Sequence, residues 1–427
     1  MIKKIVSLII IVLIIFIGLM YWSVSSTEKT FIKSDLVNYD NVNAVNFKAI
    51  DSVMVTASSL YKADEIKTLI QGEQYRQAWA TPIKVPVMYL DTLLGGVTIL
   101  KEGGGKQTHS LKLITKDSIE LTLRGVNKDP KKLIPEIAET LGLENIIVDG
   151  ISAQHPYGAI LAAELADKAN LLNTKPKVVF VPKQKTLKQY SDKYRNRLYL
   201  LEYETESKTN WTELDSIVNT IDTEDLQELK LKYPEKVFIN KTELIRARLF
   251  DLLIGDWDRH TKQWGWAIQD TNGKYIAHPI AGDRDNAFFN LEGIVPTLLS
   301  NKYVVEELRP FENDIDFMPG LVYPFDRYFL LNTPEALFVD QAKQLQIMLN
   351  DSVLEQALKV WPKSIADLDG KEIINKIKSR RDDLVNYAKA FKASIDEKGK
   401  LQQQLKGSED LDIDSRLMEC FECINKN

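Results

Sequence analysis

The stretch from Leu249 to Phe289, LFDLLIGDWDRHTKQWGWAIQDTNGKYIAHPIAGDRDNAFF, limits what this chain can fold into more than any other. It carries two acidic pairs, Asp256/Asp258 and Asp283/Asp285, on either side of a predicted hairpin. Upstream, Asn240 and Glu243 stand three apart, the spacing of a capping box with Asn at the cap. Leu244, Ile245, Leu249, Leu252 and Leu253 then repeat at helical spacing, which predicts a buried helix running to Ile254 and ended by Gly255. Asp256, Asp258, Arg259 and His260 accordingly fall on a loop leaving a rigid helix, where reactive groups are commonly displayed. Trp264, Trp266 and Ile268 alternate into a strand, Asn272-Gly273 supplies the turn, and Tyr275 to Ile280 returns as a second strand.

Helix, acidic loop, hairpin, acidic loop is the order of a protein-kinase-like catalytic centre. There one carboxylate orients or deprotonates the attacking hydroxyl, and another holds a metal that bridges the phosphates. Both roles need carboxylates, because a hydroxyl needs a proton acceptor in reach and a divalent cation needs hard oxygen ligands. Gly255-Asp256-Trp257-Asp258-Arg259-His260 resembles the D-R-H loop of phosphatidylinositol 3/4-kinases and secretory-pathway casein kinases, and Asp285-Asn286-Ala287-Phe288 resembles their metal-binding D-x-G loop. The resemblance implies that Asp258 is the catalytic Asp and Asp285 the metal Asp. Gln263 falls where the phosphoinositide kinases carry a metal-ligating Asn, and Ala287 where the loop usually has Gly. In the rival reading these acids pair with Arg259 and Arg284 and cap loops, a purely structural network.

Earlier in the chain, Val97 to Leu100, Ser110 to Ile114 and Ile119 to Val126 predict a three-stranded meander with a Gly103-Gly104-Gly105-Lys106 turn. A turn without Cβ atoms brings backbone N–H groups close to phosphates, although a Gly-rich hairpin is also a common plain turn. Leu121-Thr122-Leu123-Arg124 has the spacing of the kinase V-A-I-K strand, with Thr122 and Arg124 on one face. Arg124 stands where the phosphate-binding Lys belongs; it keeps the charge, but its planar fork is not a compact ammonium. Glu164, on a helix predicted over 157–170, and Asp149 are both candidate partners for Arg124. His155-Pro156-Tyr157-Gly158 reads as a structured turn. Val178 to Pro182 and Arg197 to Tyr203 predict strands that complete the small lobe.

The N-terminus constrains location. Lys3 and Lys4 precede Ile5 to Trp22, an uncharged run whose helix would span about 27 Å, close to a bilayer core. Lysines before the run and none just after it favour an anchor with the body outside the cytoplasm. Cleavage as a signal peptide near Val24-Ser25-Ser26 is the alternative. A net charge of −5 with a pI near 5.7, and no basic stripe, argues against a nucleic-acid surface. The two cysteines, Cys420 and Cys423, offer half a zinc site, a redox pair or a local disulfide.

Taken in order, the expected domains are an anchor or signal peptide over 1–25, a stem and N-terminal extension over 26–95, a small β-rich lobe over 96–205, a helical catalytic-type lobe over 206–397 and a mobile tail over 398–427. Within these, Lys183 to Arg197 and Glu204 to Asp225 read as polar connectors. Thr333-Pro334 opens a helix to Leu349, and Gly370 to Ile395 reads as one more. The fold class expected is α+β, bilobal and protein-kinase-like, behind an N-terminal transmembrane helix.

The chain also resembles a set of poorly characterised bacterial envelope proteins, some attached to metallophosphoesterase domains, through GGGKQT (Gly103 to Thr108), HPYGA (His155 to Ala159), Leu249 to Trp264 and DRDNAF (Asp283 to Phe288). With four histidines in all and no phosphoesterase clusters of them, that activity is not implied here. The function expected is an atypical kinase anchored in a bacterial inner membrane through residues 5–22, its body periplasmic or extracellular. It would use ATP or another nucleotide with Mg²⁺ or Mn²⁺ on an unknown envelope acceptor: protein, lipid or glycan. Asp258 is the expected base, Asp285 and Gln263 the metal ligands, and Gly103, Gly104, Gly105, Lys106 and Arg124 the phosphate holders. A pseudokinase scaffold of the cell envelope is the alternative.

Overall fold

The computed structural model describes residues 1–25, 27, 34–39, 41–104, 108–129, 134, 136–140, 142–406, 408, 409, 413 and 415–425. Gly105 and Lys106 lie outside them. Among the described residues the architecture is α+β, with three sheets. β1 (Asp35–Leu36), β2 (Ser52–Thr56) and β3 (Ile83–Pro86) form a small antiparallel sheet in chain order. β4 (Val97–Gly103), β5 (Thr108–Thr115), β6 (Glu120–Lys128), β7 (Lys177–Val181) and β8 (Arg197–Tyr203) form an antiparallel sheet in the order β4-β5-β6-β8-β7. β9 (Ile217–Asp222), β10 (Val237–Ile239), β11 (Trp264–Thr271) and β12 (Lys274–Ala281) are ordered β10-β12-β11-β9.

The five-stranded sheet obeys strand periodicity. Leu121 and Leu123 of β6 point into a compact cluster with Leu111, Leu113, Val179, Val181 and Tyr199, while Thr122 and Arg124 point into a cavity. A second, larger core runs from Val53 and Trp79 through Leu161 and Leu249 to Phe391 and Phe421. The N-terminal extension joins the folded body through Tyr75 and Trp79: Trp79 Nε1 donates to the Gln154 carbonyl at 2.9 Å, and Tyr75 Oη donates to that of Phe288.

Lys241–Ile254 is the buried helix anticipated from its cap and stripe; Asn240 Oδ1 accepts from the Glu243 amide at 3.2 Å. Gly255 ends it at φ +64, where a Cβ would lie 2.6 Å from the Phe311 ring, so both conformation and space require glycine. Helices Glu335–Met348, Lys371–Asp382 and Leu384–Lys398 pack around it. Against the hairpin, Trp264 stacks on Phe325 with centroids 5.0 Å apart.

Three local expectations differ from the structure. The connector expected over Glu204 to Asp225 contains β9, which pairs with β11. The helix expected over Gly370 to Ile395 is two helices broken at Asp383. Described residues of the segment expected as a mobile tail pack on the body: Leu401, Leu405, Leu417 and Phe421 are buried, Phe421 N donates to the Tyr328 carbonyl at 3.0 Å, and Cys420 and Cys423 form a disulfide. His155 serves as a packing residue, stacked 4.3 Å from Trp361 and paired with Asp369 at 3.3 Å. At the N-terminus, Ile2–Ser23 is a 22-residue helix long and apolar enough to cross a membrane, with mean hydropathy 2.9 and an apolar window wholly outside the packed body.

Candidate active site

The two acidic loops flanking the hairpin converge on one cavity of about 1120 Å³. Asp258, His260 and Gln263 line it from the first loop, Asp283, Asp285 and Asn286 from the second, and Ser110, Arg124 and Lys128 from the five-stranded sheet. The hairpin sets this convergence: β11 and β12 pair from Trp264↔Ala281 to Thr271↔Lys274, so the loops emerge side by side from one end.

Asp285 sits between two cations. Arg124 Nη1 lies 3.2 Å from its Oδ2, and the Lys128 ammonium bonds the same oxygen. Burial pushes the Asp285 carboxyl up, but Arg124 and Lys128 outweigh it and hold the group below its ordinary value. Burial dominates at Lys128 and lowers its pKa despite Asp285. Lys128 Nζ also donates to Thr108 Oγ1 at 3.1 Å. Sequence reasoning passed over this lysine, although the two-residue period of β6 already places it on the face of Arg124. Arg124 pairs with Glu202 Oε1 of β8 at 2.7 Å and also bonds Asp283. Neither expected partner is used: Glu164 pairs with Lys168 at 3.2 Å, and Asp149 with Lys67 and Arg76. Glu202 wins because β6 and β8 are neighbours, with Arg124 opposite Leu200 and Glu202 two residues along on the same face.

Asp258 is partly exposed to the cavity, with His260 Nε2 3.8 Å from its Oδ1. Asp256 is different. It is buried behind the cavity, 3.4 Å from Arg259 Nη1, in a network where Asp251 pairs with Arg248 (2.9 Å), Arg259 (3.2 Å) and Arg284 (3.0 Å), and Arg248 also holds Asp326. Asp256, Arg259 and Arg284 thus belong to a buried ion-pair network, while Asp258 and the ion-paired Asp285 line the cavity. The second loop carries backbone strain as well, since Asp283 and Phe288 have φ of +46° and +63°.

Burial, reinforced by Asp251 and opposed by Arg259, raises the Asp256 carboxyl to about 7. A folded-state pKa above the unfolded one means that the native state holds the proton more tightly. The associated stability is full below about pH 4 and is lost as pH rises through about 7. Asp256→Asn is expected to flatten the stability profile across that window, read from urea midpoints between pH 4 and 8; a profile as steep as that of the parent would refute the assignment.

Gly103 closes β4, and Gly104 lines the cavity at φ +107, where a Cβ would meet the Thr108 carbonyl oxygen at 2.0 Å. The close backbone approach within the turn therefore requires glycine there. Gln263 lines the cavity, and its carbonyl accepts from Arg259 Nη2 (3.3 Å) and the Gly282 amide (3.0 Å). Among the described residues, no group of three or more His, Cys, Asp or Glu is placed to cage a metal. Asp285 and Gln263 supply oxygen atoms of the kind a hard cation takes, but Asp285 Oδ2 is engaged by Arg124 and Lys128.

No family model and no curated protein matches the chain. Among solved structures, the Helicobacter pylori proinflammatory kinase CtkA aligns at 13% identity and a TM-score of 0.38, over 70% of this chain and 96% of its own. A chain of the Shewanella oneidensis MR-1 toxin–antitoxin complex of HipA, HipB and operator DNA aligns at 10% identity and a TM-score of 0.32, over 76% of this chain and 70% of its own. Neither superposition is close enough to assign a function.

Proposed function

We propose that the protein is a membrane-anchored, kinase-like phosphotransferase, bilobal in plan, that moves the terminal phosphoryl group of a nucleotide to an envelope acceptor. One observation carries this reading. Two carboxylates from separate loops, Asp258 and Asp285, share a cavity with two buried cations, Arg124 and Lys128, on the opposing sheet. A polyphosphate entering between them would be gripped by Lys128, while Arg124, tied to Glu202, keeps the sheet side positive. The Gly104 backbone lies along the same wall. A divalent cation held by Asp285 and Gln263 would neutralise charge on the phosphates. The acceptor hydroxyl oxygen attacks the terminal phosphorus and the bond to the bridging oxygen breaks. The nucleoside diphosphate leaves, and the hydroxyl proton passes to Asp258.

A second reading, a nucleotide-binding or scaffold domain without transfer, draws on Gln263 and Ala287, which replace the usual Asn and Gly, and on the commitment of Arg124 to Glu202. Thermal unfolding of the full chain in detergent with ATP or GTP, with and without Mg²⁺ or Mn²⁺, tests binding. At 100 times the dissociation constant a ligand adds about 2.7 kcal/mol. A metal-dependent shift that Lys128→Met abolishes supports the phosphotransferase site. An unshifted transition with every nucleotide, in a folded sample, would sink it.

A further inference from the structure

The segment after the apolar helix is not a spacer at its start. Ser23 Oγ accepts from Gln71 Nε2 at 2.9 Å, the Val24 carbonyl accepts from Asn145 Nδ2 at 3.0 Å, and Thr27 Oγ1 accepts from Lys67 Nζ at 3.0 Å. Lys67 is itself buried and paired with Asp149 at 2.8 Å. A helix of this length rises about 33 Å, the thickness of a bilayer's hydrocarbon core. A body that grips such a helix at its last residue lies directly against the membrane surface.

The gripping helix, Glu65–Gln71, leads into a second feature. It ends at Gly72, φ +88, where a Cβ would lie 2.3 Å from the Glu292 carbonyl oxygen, so its backbone runs against the start of helix Ile294–Leu299. These two short helices expose apolar side chains beside Glu65 and Thr297: Leu69 is 64%, Leu298 60% and Ile294 41% exposed. The next turn adds Val304 at 62% and Tyr303 at 86%, with the Lys302 ammonium 5.4 Å from the Tyr303 ring centroid. Apolar side chains beside an aromatic and a lysine are the composition of a surface that sits at headgroup level. Clustered exposure of this kind marks an interaction face rather than ordinary surface.

We propose that this face, Leu69, Ile294, Leu298, Tyr303 and Val304 with Lys302, rests in the interfacial layer of the bilayer that the N-terminal helix crosses, with Lys302 against lipid phosphate. The inference relies on Ile2–Ser23 spanning the membrane and is independent of phosphoryl transfer. Its occupant is lipid because the same helix that carries Leu69 holds the end of the membrane helix. Phe289 and Leu308, which bracket the segment from Ile294 to Val304 in sequence, line the cavity, so the proposed contact and the site share one stretch of chain.

The test uses the full chain in phosphatidylcholine–phosphatidylglycerol vesicles. Cys420 and Cys423 are joined in a disulfide, so a single introduced cysteine takes an environment-sensitive fluorophore. Labels at Leu298→Cys and Val304→Cys are compared with Ile14→Cys inside the span and Ile347→Cys, an exposed position on helix Glu335–Met348. Lipids spin-labelled at graded depths are expected to quench positions 298 and 304 at shallow depth, position 14 at greater depth and position 347 hardly at all. Quenching at 14, with 298 and 304 behaving as 347 does, overturns the docking face. No quenching at 14 overturns the membrane span beneath it, and the proposal with it.

Discussion

Asp258→Ala lowers phosphoryl transfer by about 10²- to 10⁴-fold, the usual worth of a positioned general base, and leaves the unfolding transition where it was. The two halves of this expectation rest on different observations. The loss follows from the position of Asp258 on the cavity wall opposite the cations Arg124 and Lys128. The unchanged stability follows from its partial exposure and from the 3.8 Å gap to His260, since weak exposed pairs contribute little. Single-turnover transfer and a thermal scan on the same preparation check both. Full activity in a folded Asp258→Ala protein would remove the residue from the mechanism.

Asp251→Ala is expected to act through stability. This carboxylate is fully buried and pairs with Arg248, Arg259 and Arg284, and it fixes the loop that carries Asp258 to the one that carries Asp285. Burial alone would raise its pKa, yet the three guanidiniums outweigh that and hold it low. Removing it leaves buried positive charge uncompensated, a change that costs about 3–5 kcal/mol. Arg248 would keep Asp326 and Arg259 would keep Asp256, whereas Arg284 would be left mainly with the face of Phe250 at 4.8 Å. Urea denaturation should show the midpoint falling accordingly. A midpoint within error of the parent would mean that the network is not what ties the loops together.

What the sequence made legible was local. The Lys241–Ile254 helix announces itself through its Asn240 cap, apolar stripe and Gly255, and the hairpin through alternation around Asn272-Gly273. Each signal lies within a few residues, so no long-range contact is needed to read it. The three-stranded meander around Arg124 was readable for the same reason. Features set by distant partners were not. β9 sits in a polar stretch and exists because it pairs with β11, some forty residues on. Glu202 meets Arg124 only through the β6–β8 register, which no spacing along the chain encodes. The division of labour between Asp256 and Asp258, two residues apart, depends on which side of the loop is buried. Lys128 was within reach of periodicity, but Val126 between it and Arg124 belongs to the larger core and interrupts the polar run.

The docked C-terminal segment has a consequence for how the molecule ages. Lys406 and Ser408 line the same cavity as the acidic loops, with Ser408 Oγ donating to Gln227 Oε1 at 2.6 Å and Gln227 donating in turn to Tyr328 at 3.0 Å. Gln402 and Gln403, a few residues before this wall, are exposed. A nick there would loosen a segment that supplies both this wall of the cleft and the buried Leu405, Leu417 and Phe421, so a clipped preparation would lose cleft shape and stability together.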